Sequence, residues 1–266
     1  MSIQILILDD EKIVGERLKA SLEKEGHTIE IFIDPVAALN RIREKAFDVV
    51  ITDIRMDDVD GIQVLEEVRK KSQKTKVIMI TGYSTVENAV KSLHKGAIDF
   101  IPKPFTFEEI ASSINRGLNY RNIKVKFEEA EKCSTNDSVI YVPCPPKYKR
   151  MGYMSWVNLE YEGAAVVGVT DLFLETIEDT LMVELMEVDE LLIQGSSCAK
   201  FETNDGLIHT CLAPLGGRIV ERNERIFINP SLLEKDPFFE GWLYRIIPSD
   251  IEYDMKYLNA CSSDRV

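Results

Sequence analysis

The sequence predicts an open parallel α/β sheet in its first half and a second, mainly β domain after it. Over roughly the first 120 residues, apolar runs alternate five times with segments that have helical spacing. After about residue 150 the runs are short and rich in β-branched residues, with Gly, Asn and Asp between them. The first pattern is typical of βαβ units, and the second is typical of an antiparallel sandwich or barrel.

Continuous apolar runs predict strands buried on both faces, and stripes at helical spacing predict helices between them. The strands nearest the candidate site are Ile3–Leu8, Phe47–Thr52, Val77–Ile80 and Asp99–Ile101. The stripes are Val14, Leu18 and Leu22; Val36, Leu39 and Ile42; Ile62, Leu65 and Val68; and Val86, Val90 and Leu93. Two capping-box spacings, Ser84 with Glu87 and Thr106 with Glu109, predict where two helices begin.

Each of these strands ends next to a residue with a charge or a hydroxyl. Asp9 and Asp10 follow the first strand, Asp53 the second, Thr81 the third and Lys103 the fourth. In an open parallel sheet, ligands bind at the carboxyl ends of the strands. We therefore expect three carboxylates, one hydroxyl and one ammonium to meet in a single crevice.

These groups suit phosphoryl chemistry. Three clustered carboxylates repel one another, and Mg²⁺ relieves that repulsion. A metal held there also neutralises the charge of an incoming phosphoryl group, so that the Asp53 carboxylate attacks phosphorus and forms an acyl phosphate. Lys103 and Thr81 suit the phosphoryl oxygens, as a point charge and as a hydrogen-bond donor.

Residues 1–121 resemble the receiver domain of bacterial two-component response regulators. The segments that carry the resemblance are Ile5–Glu11, Asp48–Met56, Asp60–Gly61, Met79–Tyr83 and Gly96–Phe105. The resemblance implies a flavodoxin-like, doubly wound fold with strand order 2-1-3-4-5. It also implies that Asp53 is the phosphoacceptor, that a sensor histidine kinase is the donor and that homodimers form through the receiver. The receiver would catalyse its own phosphoryl transfer and dephosphorylation, and no independent enzyme is expected.

The same resemblance implies roles for single residues. Asp10, Asp53 and the backbone carbonyl of Arg55 would bind Mg²⁺, with Asp9 acting through water. Thr81 and Phe100 would form the switch pair, beside the catalytic Lys103. Asp57 stands where the family usually has Pro, which changes the loop beside the site but removes no catalytic group.

Composition argues against several other classes of protein. Residues 1–122 carry 18 basic and 20 acidic residues, and the remainder carries 14 and 25, so the second half repels nucleic acid. No apolar run approaches the ~20 residues of a membrane span, and we expect no signal peptide before the first strand. We therefore expect a cytoplasmic location and no membrane partner. The five cysteines, an odd number without metal-ligand spacing, are expected to be reduced thiols.

The second half resembles the glycine-cleavage system H protein, a lipoyl-carrying β domain. The segments are Ser155–Val157, Val167–Asp171, Met182–Val188, Leu212–Asn223 and Asn229–Leu243. The family carries lipoate on a lysine at a hairpin tip, and that position here is Gly206. Lys200 is several residues too early and is expected within the strand. We therefore predict no lipoyl attachment site and no lipoate.

The predicted organisation is a receiver at 1–121, a linker at 122–150, an H-protein-like domain at 151–254 and a tail at 255–266. It favours a phosphorelay response regulator whose second domain binds an unknown protein effector rather than DNA. A second hypothesis is a phosphorylation-switched carrier or enzyme-associated module in lipoyl or one-carbon metabolism. A third is a phosphate sink whose second domain only docks.

Overall fold

The computed structural model describes residues 2–56, 59–82, 86–133, 141–160 and 163–261. The chain divides into two compact units, Met1–Arg121 and Asn122–Val266. Among the described residues, no helix is both long enough and apolar enough to cross a membrane.

The first unit is a five-stranded parallel sheet with helices between consecutive strands. Its elements are β1 Gln4–Leu8, α1 Lys12–Lys24, β2 Thr28–Phe32, α2 Pro35–Glu44, β3 Val49–Asp53, α3 Gly61–Lys71, β4 Lys76–Thr81, α4 Val86–His94, β5 Asp99–Pro102 and α5 Phe107–Cys133. The strand order β2-β1-β3-β4-β5 confirms the predicted doubly wound α/β fold. Strands β1, β3 and β4 form its centre and are almost wholly buried, as their continuous apolar runs predict.

Local hydrogen bonds set where several helices begin. The Asp60 side chain accepts from the Gln63 N–H at 2.8 Å, and Gln63 Oε1 accepts from the Asp60 N–H, so α3 starts with a capping box. Thr106 and Glu109 form the predicted reciprocal pair before α5, with bonds of 2.8 and 3.2 Å. Ser84 and Asp57 lie outside the described residues, so the predictions made for them stay predictions.

Helix α5 continues to Cys133 and thus includes the first part of the segment predicted as a linker, residues 122–150. The continuation contains no Gly or Pro and is rich in Lys and Glu, which favour helix. In the second unit, Phe127 of this helix lies with its ring centroid 5.9 Å from that of Tyr141.

The second unit is mainly β, as predicted, and is built on two sheets. Its elements are β6 Lys149–Met151, β7 Ser155–Leu159, β8 Ala165–Val169, α6 Asp171–Leu174, β9 Thr180–Leu185, β10 Leu191–Leu192, β11 Ser197–Thr203, β12 Ile208–Leu212, β13 Gly217–Arg222, α7 Arg225–Ile228, α8 Ser231–Lys235, β14 Trp242–Pro248, α9 Ile251–Asp254 and β15 Asn259–Ala260. One sheet has the order β10-β13-β14-β8-β7-β6-β15, and the other has the order β12-β11-β9.

Aromatic side chains form much of the core of the second unit. Trp156 is fully buried, and its Nε1–H donates to the carbonyls of Val169 at 2.8 Å and Pro237 at 3.2 Å. A Cβ on Gly168 would lie 2.4 Å from the Trp156 ring, so the ring can occupy this place only because residue 168 has no side chain. Tyr244 is also fully buried and joins the two sheets, because its hydroxyl donates to the Cys198 carbonyl.

The expectation that the cysteines are all reduced is wrong. Cys144 and Cys261 form a disulfide with a Cα–Cα distance of 5.3 Å, whereas Cys198 and Cys211 are buried and are not disulfide-bonded. The antiparallel pairing of β15 with β6 brings the two bonded cysteines together. They are 117 residues apart in sequence, so their spacing alone could not reveal the contact.

Candidate functional site

The carboxyl edge of the parallel sheet brings the predicted charged residues together. Lys103, just after β5, places Nζ 2.6 Å from Asp53 Oδ2 and 2.8 Å from Asp9 Oδ2. Glu11 also reaches this ammonium, with Oε1 at 3.2 Å, a contact that the sequence reasoning missed. Neighbouring parallel strands explain the convergence, since all of them end at this edge.

Asp9, Asp10 and Asp53 each offer a carboxylate oxygen to one small volume. These oxygens lie within 4.8 Å of one another, with Asp9 and Asp53 buried and Asp10 exposed. Such a set of oxygen donors, two inside and one open to water, fits a hard divalent cation that keeps part of its water shell. Within the part of the chain that the structure describes, these three residues could therefore hold Mg²⁺.

Burial and charge act in opposite directions on the ionisable groups here. Burial raises the pKa of Asp9 above its ordinary value, against the hydrogen bond and charge of Lys103, which lower it. Burial alone would lower the pKa of Lys103, but its bonds to Asp53 and Asp9 outweigh that effect and raise it. Lys103 thus stays a cation and balances part of the negative charge of the cluster.

A backbone N–H of the loop after β3 and the ammonium of Lys103 hold the Asp53 side chain. The Arg55 N–H donates to Asp53 Oδ1 at 3.0 Å, while Lys103 occupies Oδ2, so both carboxylate oxygens are engaged. Gly61 then packs directly on this strand end, since a Cβ there would lie 2.2 Å from the Asp53 carbonyl oxygen. The Asp60–Gly61 pair stands out in the sequence, but no local pattern predicts this contact. The Arg55 carbonyl remains a predicted metal ligand.

Thr81 and Phe100, the predicted switch pair, lie on the neighbouring strands β4 and β5. Thr81 is fully buried, and its carbonyl accepts a 2.8 Å hydrogen bond from the Lys103 N–H. The Phe100 side chain is also buried, at 6% exposure. The backbone N–H of Phe100 donates to Asp99 Oδ1 at 2.8 Å.

The hairpin between β11 and β12 carries no lysine at its tip. Asp205 Oδ1 accepts from the Thr203 hydroxyl at 2.6 Å and from the Leu207 N–H at 3.1 Å, and Gly206 has φ +80°. Lys200 lies inside β11, where it is paired in register with Glu184 and Thr210. Its Nζ is 3.5 Å from Glu184, so the residue belongs to the body of the strand.

The sheet that contains this hairpin exposes apolar side chains beside acidic ones. Met182 on β9 and Ile208 on β12 are 58% and 51% exposed, and both are in register with Glu202 on β11. Leu181 on β9 is also exposed, at 57%. Contiguous exposed apolar patches mark contact surfaces, and Met182 and Ile208 are the candidates for such a patch on this sheet.

Comparison with protein families gives two separate matches. The response regulator receiver domain matches residues 5–115, and the glycine cleavage H-protein matches residues 147–264. Among curated relatives, the response regulator MprA of Mycobacterium ulcerans is 34% identical over 130 residues, which are 49% of this chain and 55% of the relative. The transcriptional regulatory protein ZraR of Escherichia coli K12 is 34% identical over 117 residues, 44% of this chain and 26% of the relative. The chain thus spans between about a quarter and about half of these relatives' lengths.

Solved structures resemble the two halves separately. A response regulator receiver domain protein from Clostridium thermocellum is 29% identical, with a TM-score of 0.44, over 46% of this chain and 98% of the other. A glycine cleavage system H protein from Mycobacterium marinum is 26% identical, with a TM-score of 0.37, over 42% of this chain and 97% of the other. The family models thus identify a response regulator receiver domain at residues 5–115 and a glycine cleavage H-protein domain at residues 147–264.

Proposed function

We propose that this chain is a cytoplasmic two-component response regulator that accepts a phosphoryl group on Asp53 from a sensor histidine kinase. The observation that carries the proposal is the position of Asp53. Its carboxylate lies in an acidic cluster suited to Mg²⁺ and touches the ammonium of Lys103. That combination supplies a nucleophile, a place for a cation and a partner for the phosphoryl oxygens.

The chain's own residues divide the work of transfer. An oxygen of Asp53 forms the new bond to phosphorus while the bond from phosphorus to the kinase histidine nitrogen breaks. Asp9, Asp10 and Asp53 would hold a divalent cation, which would supply positive charge to the phosphoryl oxygens. Lys103 then exchanges its contact with Asp53 for one with a phosphoryl oxygen, and the Thr81 hydroxyl donates to another.

A direct labelling experiment tests this function. The full chain is incubated with a small phosphodonor and Mg²⁺, and its intact mass is measured with and without chelator. We expect one phosphoryl group, lost with chelator and absent in Asp53→Asn. Asp34→Asn is the matched control, because Asn replaces Asp equally well at the helix start that Asp34 caps. Labelling of Asp53→Asn would overturn the assignment.

We also propose that the second domain transmits the signal by binding a protein with a basic surface. Residues 123–266 hold 14 basic and 25 acidic residues, which suits such a partner by sign and does not suit DNA. The exposed Met182 and Ile208 supply an apolar centre for the contact. Phosphorylation would act through Thr81 and Phe100 on the surface made by α4, β5 and α5. The homodimer would form through the same surface.

Capture by the full chain tests this output. Protein treated with beryllofluoride should retain a partner protein, and salt should release that partner. The double variant Met182→Asp/Ile208→Asp should not retain it. The control Val36→Asp changes a similarly exposed residue of the receiver and should retain it. Retention of DNA instead would contradict the proposal, and no phosphorylation-dependent capture would favour a phosphate sink.

The carrier hypothesis has a separate test. The full chain is expressed with a lipoate ligase and free lipoate, and its intact mass is measured. We expect no gain in mass, because Thr203–Leu207 offers no lysine amine. A gain that maps to Lys200 and disappears in Lys200→Arg would favour a role in lipoyl or one-carbon metabolism.

A further inference from the structure

The disulfide between Cys144 and Cys261 lies at one edge of the seven-stranded sheet. Both cysteines are buried, at 4% and 1% exposure, within a cluster that includes Tyr148, Trp156 and Phe238. The Tyr148 ring centroid lies 5.0 Å from that of Trp156. The bond therefore joins the segment before β6 to the end of β15 through the core of the second domain, and not through a surface loop.

Strand β15 is very short and lies at the end of the seven-stranded sheet. It contains only Asn259 and Ala260, which pair with Arg150 and Lys149 of β6. Next to it, the Cys261 N–H donates to the Tyr148 carbonyl at 3.3 Å. A strand of two residues at a sheet edge opens far more readily than the strands inside the sheet. Such opening would give a thiolate access to the buried sulfur atoms.

We propose that Cys144 and Cys261 form a thiol–disulfide exchange site that takes a dithiol as its reductant and a disulfide as its oxidant. In the reducing direction, a thiolate of the dithiol attacks one cysteine sulfur, and the Cys144–Cys261 bond breaks. The second thiol of the reductant then closes its own disulfide. Two electrons and two protons pass to the protein, so Cys144 and Cys261 end as thiols. This proposal does not depend on the proposed function.

The exchange changes what the sheet edge exposes. The disulfide closes a loop between two cysteines that are 117 residues apart in sequence. This loop restricts the unfolded chain, and the bond holds β15 on β6. With the bond broken, β15 can leave, and the backbone groups of β6 become an open strand edge. The redox state would thus decide whether this edge is closed or can pair with another strand.

Thiol labelling under defined dithiol and disulfide mixtures tests the site on the full chain. Cys133→Ser is introduced throughout, which leaves four cysteines to be mapped by mass after alkylation. We expect Cys144 and Cys261 to change together, as one two-electron couple, while Cys198 and Cys211 stay protected in both states. Two results would overturn the proposal. One is alkylation of Cys144 and Cys261 in the oxidised sample, and the other is that the two cysteines become reduced in different dithiol and disulfide mixtures.

Amide hydrogen exchange on the same samples tests the structural consequence. On reduction, we expect faster exchange in residues 149–151 and 258–261 and unchanged exchange in the receiver sheet. The melting temperature of the second unit should fall by roughly 10 °C, as the loop closed by the bond implies. Cys144→Ser and Cys261→Ser should each reproduce the reduced pattern. Equal exchange in the oxidised and reduced wild type would contradict the coupling, whether or not these variants fold.

Discussion

The Nζ atom of Lys103 lies 2.6 Å from Oδ2 of Asp53, although 50 residues separate the two in sequence. This contact places a fixed positive charge on the carboxylate that we propose as the nucleophile. Asp9 shares the same ammonium at 2.8 Å, so Lys103 balances two buried carboxylates at once. A phosphoryl group that reaches Asp53 must therefore take over a contact that already exists.

Removal of that ammonium should separate metal binding from phosphoryl transfer. Lys103→Ala leaves the cluster more negative, so we expect Mg²⁺ to bind at least as tightly as in the wild type. Phosphorylation by a small donor should nevertheless slow by about 100-fold, since a charged partner for the phosphoryl oxygens is lost. Lys95→Ala, which removes an exposed partner of Glu66, is the control. An unchanged rate in Lys103→Ala would exclude this role.

Gly61 should be essential to the geometry around Asp53. In Gly61→Ala, the new Cβ would lie 2.2 Å from the Asp53 carbonyl oxygen and 2.9 Å from Ile54 Cα, which are backbone atoms that cannot turn aside. We expect a loss of about 1–3 kcal/mol in urea unfolding and a slower phosphorylation of Asp53. Gly82→Ala is the matched control, because its Cβ would meet nothing within 4 Å. Equal stability of the two variants would refute the close approach.

Acid should weaken the receiver through Glu30. Hydrogen bonds from Arg41, then from Lys45, lower the pKa of Glu30 from its ordinary 4.5 to about 2, against the effect of burial. A carboxylate whose pKa is lowered by folding stabilises the protein above its unfolded pKa, and that contribution disappears as pH falls from about 4.5 to 2. For this partly exposed pair we expect about 1 kcal/mol.

Urea unfolding at pH 7 and at pH 3 measures this contribution. Glu30→Gln should be less stable than the wild type at pH 7, and the difference should shrink at pH 3. Glu16→Gln, which affects an exposed pair with Lys12, serves as the control. A constant difference between Glu30→Gln and the wild type across this range would rule out the ionic contribution.

Tyr244 should stabilise the second domain through its hydroxyl. That group donates to the Cys198 carbonyl at 2.6 Å and accepts from the Met186 N–H at 2.8 Å. Tyr244→Phe keeps the ring but leaves both backbone groups unsatisfied, so we expect a loss of about 1–3 kcal/mol in chemical unfolding. Tyr253→Phe, at an exposed position, should lose far less. Similar losses of stability in both variants would mean that the buried hydroxyl stabilises the domain no more than an exposed one.

The candidate site was largely predictable because it depends on strand ends. Asp9, Asp53 and Lys103 each follow a continuous apolar run, and parallel strands place such residues at one edge. The strand order of the first domain and the β character of the second also agree with the sequence patterns. These features are local in sequence, or follow from the repeated βαβ unit.

Other features depend on distant approaches that no local pattern encodes. The contact of Gly61 with Asp53 arises from how the start of α3 returns to β3. The bond between Cys144 and Cys261 requires β15 to pair with β6, and a two-residue strand leaves almost no pattern in the sequence. Glu11 reaches Lys103 across 92 residues of sequence.

Identification of the modified residue tests the central claim most directly. After phosphorylation with a small donor and Mg²⁺, borohydride reduces an acyl phosphate on aspartate to homoserine, which peptide mass spectrometry can locate. We expect homoserine at position 53 alone, at full yield in wild type and in Asp34→Asn. Homoserine at Asp9 or Asp10 instead, or none at position 53 in a sample that gained a phosphoryl group, would contradict Asp53 as the phosphoacceptor.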